Sequence, residues 1–250
     1  MRTAGIDIGS RTIKLVTVEG EEIIFSLIVD TTHDPLEQCK RLMGQTHFDR
    51  ILATGYGRHL FEIQFDVPTV TEIKAFARGV KALFPCGRTI LDIGGQDTKA
   101  IALDGDGRVA KFEMNDRCAA GTGIFMELMA KTLGYEMEAF GREALKAQDK
   151  VQINSMCTVF AQSEVTSLLA KGQRREDIAL GIHVAILNRT LSLMKRVSTA
   201  PEIVFAGGVA RNPCLRFLLE EMLGKEIRVP HDPQMVGAYG AALIARESER

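Results

Sequence analysis

The chain has 250 residues, 46% of them hydrophobic, and a formal net charge of −1. That length and apolar content allow a substantial buried core, as one large domain or two small ones, and exclude a disordered chain. The near-neutral balance excludes binding to nucleic acid or an anionic membrane by bulk electrostatics.

From the N-terminus, Met1-Arg2-Thr3-Ala4-Gly5-Ile6-Asp7 runs straight into a strand pattern with no apolar leader segment. Ala4–Ile8 reads as a buried strand, and Lys14–Val18 and Glu22–Val29 as antiparallel neighbours turning near Glu19-Gly20. Asp34–Thr46 reads as a helix, with Asp34 as cap, Pro35 in the first turn and an apolar stripe of Leu36, Cys39, Leu42 and Met43. Arg50–Ala53 is a predicted strand. Thr54-Gly55-Tyr56-Gly57-Arg58 is read as a strand-to-loop turn, and Thr71–Leu83 as a helix. Pro85-Cys86-Gly87 then interrupts the chain.

After that break the pattern returns. Strands are predicted at Thr89–Ile93, Thr98–Leu103 and Val109–Met114, with a turn at Asp104-Gly105-Asp106-Gly107. Helices are predicted at Gly123–Leu133, Val159–Lys171 and Glu176–Arg196, then a strand at Glu202–Ala206 ending in Gly207-Gly208. A helix at Asn212–Leu223, a strand at Glu226–Val229 and a small-residue helix at Gly237–Arg246 close the chain. This alternation predicts an α/β fold. No apolar stretch approaches the ~20 residues of a membrane span. The expectation is a cytoplasmic protein, in which five cysteines serve metal binding, redox chemistry or packing rather than disulfides.

The strand–Asp–Ile–Gly unit occurs twice, at Asp7-Ile8-Gly9 and Asp92-Ile93-Gly94, which predicts two similar halves with a cleft between them. Asp7-Ile8-Gly9-Ser10-Arg11-Thr12-Ile13-Lys14 and Asp92-Ile93-Gly94-Gly95-Gln96-Asp97-Thr98-Lys99 share one construction. Glycine after a strand lets backbone N–H groups approach an anion, hydroxyls such as Ser10 and Thr12 add donors, and Lys14 adds positive charge. Asp7 and Asp97 are strand-end carboxylates suited to Mg²⁺ directly or through water, and either of them, or Gln96, is placed to orient a hydrolytic water. A Gly-Gly after a strand is by itself usually a tight turn. Two matching loops plus a third at Phe205-Ala206-Gly207-Gly208 argue for phosphate binding instead, though neither matches a Walker A loop nor a Gly-x-Gly-x-x-Gly fingerprint.

Cys118, in Asn115-Asp116-Arg117-Cys118-Ala119-Ala120-Gly121-Thr122-Gly123, and Cys157, in Asn154-Ser155-Met156-Cys157-Thr158, each fall at the start of a predicted helix. Partial positive charge at a helix N-terminus favours a thiolate and an anionic iron–sulfur cluster. Ser155 and Thr158 are placed to cap or to bond cluster sulfurs. Two thiols are half of the usual four-thiolate set, which two copies of the chain would complete. The spacing matches no C-x-x-C pattern, so structural burial of both remains an equal reading on spacing alone. Cys39 and Cys214 are expected in the core and Cys86 as a surface or hinge thiol. The five histidines have no metal-ligand spacing. Glu164 is either near the cysteine site or a helical surface carboxylate. Met126, Met129 and Leu133 read as core or dimer contact.

Gly5–Lys14, Ala53–Arg58, Asp92–Lys99, Met114–Gly123, Ser155–Val165, Ala206–Asn212 and Gly237–Ala242 together resemble the ATP-dependent activators of 2-hydroxyacyl-CoA dehydratases. These are related to the ATPase subunits of benzoyl-CoA reductases, within the actin–Hsp70–sugar kinase superfamily. The resemblance implies two duplicated ribonuclease-H-like halves, taken as 1–85 plus about 232–250 and 86–231. It implies ATP/ADP and Mg²⁺, with the phosphates at Gly9, Ser10, Arg11, Thr12, Lys14, Gly94, Gly95 and Gln96, and the adenosine at Gly207, Gly208, Asn212 and Gln234. It also implies one [4Fe–4S] cluster per homodimer on Cys118 and Cys157, a ferredoxin or flavodoxin as electron donor, and an iron–sulfur dehydratase or reductase as acceptor, double-cubane cluster proteins included. A small-molecule kinase of the superfamily would use the same loops without either cysteine, and a nucleotide-dependent redox sensor would keep the cluster without coupled electron transfer.

Overall fold

The computed structural model describes residues 1–155 and 157–247, so Met156 of the Cys157 stretch lies outside them. The chain forms two compact units. The first holds Met1–Ile90, Ile101–Lys111 and Pro230–Arg250, and the second Leu91–Ala100 and Phe112–Val229.

In the first unit, β1 (Arg2–Ile8), β2 (Thr12–Glu19), β3 (Glu22–Asp30) and β4 (Arg50–Thr54) form a sheet in the order β3-β2-β1-β4. β1 runs antiparallel to β2 and parallel to β4, and Asp7, near the end of β1, stands opposite Lys14 and Thr54. Both faces of the sheet are covered. Ile6, Ile13 and Leu15 face a core with Cys39 and Leu42 of α1 (Pro35–Met43) and Phe61 of α2 (Arg58–Phe65). Val16 and Val18 point the other way, onto Ala238, Ala242 and Leu243 of α9 (Val236–Glu247). Burial on both faces leaves every residue of β1 after Arg2 buried.

Side-chain caps mark the starts of α1 and α3 (Glu72–Leu83). Asp34 Oδ1 accepts the Glu37 N–H at 3.1 Å ahead of α1, and Thr71 Oγ1 accepts the Lys74 N–H at 3.4 Å ahead of α3. The small residues of α9 let its backbone lie against α3, where a Cβ on Gly240 would strike the Ala75 carbonyl. By contrast, α2 occupies a stretch with no predicted element. It has eight residues, Gly57 as N-cap, no side-chain cap bond and no acid in its first turn. Its tertiary anchor is Phe61, fully buried in the core with Ile6, Ile13 and Leu15, and within the helix the Phe61 ring lies 4.6 Å from that of Phe65.

The second sheet has the order β7-β6-β5-β8-β9, built from β5 (Thr89–Ile93), β6 (Thr98–Leu103), β7 (Val109–Asn115), β8 (Ile203–Ala206) and β9 (Ile227–Arg228). Its first four strands repeat the order of the first sheet, so the predicted duplication is present in the topology. The helices of the second unit are α4 (Gly123–Thr132), α5 (Met137–Ala144), α6 (Thr158–Ala170), α7 (Arg175–Val197) and α8 (Pro213–Leu223), with a 3₁₀ turn at Gly208–Arg211. α5 also lacks a side-chain cap bond and is not foreseen. Met126, Met129 and Leu133 lie in the core with Ile182, Phe205 and Leu215. By length and composition α7 is apolar enough to cross a membrane, contrary to the expectation that no stretch comes close, but 67% of that window is buried inside the protein.

Candidate functional site

The two Asp-Ile-Gly loops fold alike. In the first, Gly9 N–H donates to the Thr12 carbonyl at 3.1 Å, and Lys14 Nζ donates to Asp7 Oδ2 at 3.0 Å. In the second, Gly94 N–H donates to the Asp97 carbonyl at 2.9 Å, and Lys99 Nζ donates to Asp92 Oδ2 at 3.1 Å and to Asp97 Oδ1 at 2.7 Å. The seven-residue spacing from Asp7 to Lys14 and from Asp92 to Lys99 thus builds the same ion pair twice. Each lysine fixes a strand-end carboxylate, and Lys99 is 3% exposed, so its charge stands only because two carboxylates compensate it.

The strand beside each loop ends in a glycine at positive φ, Gly55 at +92° and Gly207 at +84°. A Cβ on Gly55 would come 2.5 Å from Asp7 Oδ1, and one on Gly207 would strike Asp92 Oδ1. Side chains rarely adopt this backbone conformation, so both positions demand glycine twice over. Gly55, read from sequence as part of a turn, is therefore the first half's counterpart of Gly207. The signal was its place directly after a strand parallel to β1.

Around these loops, Gly9, Ser10, Thr12, Gly94, Gly95 and Asp97 are partly exposed, and Arg11 and Gln96 are exposed at the bends. In the second unit, Gly208 begins the 3₁₀ turn after Gly207, and Asn212 follows it. The Asn212 side chain is fully engaged: Oδ1 caps α8 by accepting the Leu215 N–H at 3.1 Å, and Nδ2 donates to His183 Nε2 at 3.0 Å. His183 is completely buried, which drives its pKa down to about 4, and it donates from Nδ1 to the Ala179 carbonyl at 2.7 Å. Gln234 lies in the first unit, half-buried.

The five thiols divide sharply. Cys39 and Cys214 are in the core, where burial pushes both thiols up to about 12, as expected of packing residues. Cys118 is half-buried, and Cys157 and Cys86 are exposed. Cys157 is the N-cap residue of α6, as the sequence predicts. Cys118 does not start a helix. α4 begins at Gly123 with Thr122 as its cap residue, so Cys118 sits in the preceding turn, where Asn115 Nδ2 donates to its carbonyl at 3.0 Å. The helix-terminus argument therefore applies to Cys157 alone. Gly121, at φ +90°, interrupts helical backbone between Cys118 and α4.

Of two supporting residues, Thr98 was not assigned from sequence, and Glu164, left there between the cysteine site and a surface role, lies beside the cysteine segment. Thr98, on β6, donates from Oγ1 to the Gly121 carbonyl at 3.0 Å. Glu164, on α6, accepts the N–H groups of Asn154 at 2.9 Å and Ser155 at 2.8 Å, binding the segment before Cys157 to its own helix. Partial burial would raise the Glu164 pKa, but these donors outweigh it and hold the carboxyl below its usual range.

The model of the BadF/BadG/BcrA/BcrD ATPase family matches residues 4–245. The chain is 41% identical to a 2-hydroxyisocaproyl-CoA dehydratase activator of Clostridioides difficile, covering 98% of this chain and 95% of that one. It is 39% identical to an (R)-2-hydroxyglutaryl-CoA dehydratase activating ATPase of Acidaminococcus fermentans, covering 97% and 96%. The solved structure of the activator of the 2-hydroxyisocaproyl-CoA dehydratase from Clostridium difficile with bound ADPNP superposes with a TM-score of 0.91 at 40% identity, covering 99% and 95%.

Proposed function

The chain belongs to the BadF/BadG/BcrA/BcrD ATPase family, and from that premise we propose that it couples ATP hydrolysis to one-electron delivery. The electron comes from a ferredoxin or flavodoxin and goes to an iron–sulfur dehydratase or reductase. The observation that carries this reading is the placement, in one unit, of a phosphate-type loop and two unburied thiols, Cys118 and Cys157. Likeness over nearly full length to two dehydratase activators supports it.

The residues present fit a [4Fe–4S] cluster. Cys118 and Cys157 are accessible sulfur donors, whereas Cys39 and Cys214 are locked in the core. Val159 and Phe160, next to Cys157, are 67% and 68% exposed, an apolar surface suited to cover by a second copy. Two thiolates per chain complete a four-thiolate set in a homodimer, and the cluster, when bound, supplies reversible one-electron chemistry.

The nucleotide is the work of the loops. Gly9, Ser10, Arg11, Thr12 and Lys14 in the first unit, with Gly94, Gly95 and Gln96 in the second, receive the phosphates through N–H, hydroxyl and cationic donors. Asp7 and Asp97, held in place by Lys14 and Lys99, take Mg²⁺ directly or through its waters, and one of these carboxylates or Gln96 orients the attacking water. Gly207, Gly208, Asn212 and Gln234 belong to the adenosine side, with Asn212 acting through its backbone because its side chain is committed. Raising an electron by about 300 mV costs on the order of 7 kcal/mol, within reach of one tightly coupled nucleotide step. The halves are taken as 1–85 plus about 232–250 and 86–231, in a cytoplasmic protein.

The test is anaerobic reconstitution with reduced ferredoxin and an iron–sulfur 2-hydroxyacyl-CoA dehydratase. The acceptor is expected to be reduced with ATP and not with ADPNP, and Cys118→Ser is expected to lose electron delivery while still binding ATP. A phosphorylated small-molecule product formed equally well by Cys118→Ser would assign a kinase instead.

A further inference from the structure

α4 has no side-chain cap, yet its first N–H groups are not bare. Gly123 N–H donates to the Gly94 carbonyl at 2.9 Å, and Ile124 N–H donates to the Gly95 carbonyl at 2.9 Å. The second phosphate-type loop is therefore the cap of the helix that follows Cys118. The fit is close, since a Cβ on Gly123 would come 3.2 Å from the Gly94 carbonyl oxygen and 3.3 Å from Gly95 Cα. Two residues back, the Gly121 carbonyl accepts the buried Thr98 hydroxyl, and Thr122 bonds the Ala119 carbonyl through both N–H and Oγ1, at 3.0 and 2.6 Å. Hydrogen bonds joined by single steps of backbone thus lead from Gly94–Thr98 to the segment holding Cys118.

The Cys157 segment is anchored differently. Glu164 accepts from Asn154 N–H, Asn154 Nδ2 and Ser155 N–H, and the Cys157 carbonyl accepts the Ala161 N–H at 2.8 Å. Among the described residues, these bonds tie the segment to α6.

We propose that nucleotide at the Gly94–Asp97 loop repositions Cys118 while leaving Cys157 anchored to α6, and that Thr98 is the positioning residue for this response. The inference rests on the nucleotide reading above and specifies which of the two cysteines ATP governs. A loop that moves must carry the α4 N-terminus with it or strip its N–H groups, and such backbone bonds fail or hold as units.

Hydrogen exchange on the full-length, anaerobically purified chain reads this directly, with ADPNP as the probe and calorimetry to measure its binding. ADPNP is expected to change exchange of the peptide spanning residues 118–124 by about threefold or more, and to leave residues 154–161 unchanged. Thr98→Val is expected to bind ADPNP within about twofold of wild type and to lose the 118–124 response, and Thr98→Ser to keep it. An equal response at 154–161, no response at 118–124 in the ADPNP-bound wild type, or a full response in a folded Thr98→Val would each overturn the proposal. Wild-type chain that does not bind ADPNP by calorimetry would overturn the nucleotide reading itself, a failure visible separately from loss of coupling.

Discussion

The loop after β1 and the loop after β5 share a turn, a lysine–aspartate pair and an adjoining positive-φ glycine, yet they hand their carbonyls to different clients. The Gly9 carbonyl accepts the Thr31 hydroxyl at 2.9 Å, and the Arg11 carbonyl accepts the Thr31 N–H at 2.9 Å, which ties down the chain after β3. The Gly94 and Gly95 carbonyls instead accept the first N–H groups of α4. In the first repeat the tethered residue follows its strand almost at once. In the second, the turn carrying Cys118 stands between the strand and the tethered helix. Duplication preserved the anion-binding hardware, and the difference lies in what each loop holds.

The sharpest way to break the comparison is to remove each lysine. Lys99→Met strands the nearly buried Asp92 and the partly buried Asp97 without their cation, and is expected to cost about 3–5 kcal/mol in urea unfolding. Lys14→Met strands one carboxylate, Asp7, and is expected to cost about 2 kcal/mol. Equal losses would mean that the second loop is no more constrained than the first.

Acid should separate the units next. His183 is the buried histidine of the second unit, while His33, His47, His59 and His231 are exposed in the first. Its folded pKa, about 4, lies below the ordinary 6.5, so between those values the unfolded chain binds a proton that the folded chain refuses. The stabilisation is complete above pH 6.5 and falls away as pH drops toward 4, by on the order of 3 kcal/mol. Exchange measured across that range should show the second unit opening first. A pH-independent stability in this window would remove His183 from the account.

Alanine at the paired glycines should be the most symmetric change. Gly55→Ala and Gly207→Ala are each expected to cost about 1–3 kcal/mol from strain at positive φ, with a further cost where the new Cβ meets the Ile8 or Ile93 backbone, and both should weaken ADPNP binding in calorimetry. A large effect at one and none at the other would deny that the two positions are counterparts.

Much of this was legible in the sequence because it is local. Asp34 and Pro35 announce their helix, the turn at Glu19-Gly20 announces the hairpin after β2, and the repeated Asp–Ile–Gly announces duplication. α2 and α5 escaped because they have only eight residues each and owe their form to buried Phe61 and Phe140. Among the cysteines, the apolar stripe correctly sent Cys39 to the core. Cys118 was read as opening the helix although the bounds read for that helix already began at Gly123, and nothing local indicates that α4 is capped by carbonyls 29 residues earlier in the chain (123 − 94). Thr98 and Glu164 act through partners brought close only by the fold, and residue type alone does not reveal such partners.

The account as a whole is most directly tested by native mass spectrometry and iron–sulfide analysis of chain purified without oxygen. The prediction is a dimer holding about four irons and four labile sulfides, lost in both Cys118→Ser and Cys157→Ser. A stable cluster carried entirely by one chain, or iron-free protein that still couples ATP hydrolysis to electron delivery, would contradict it.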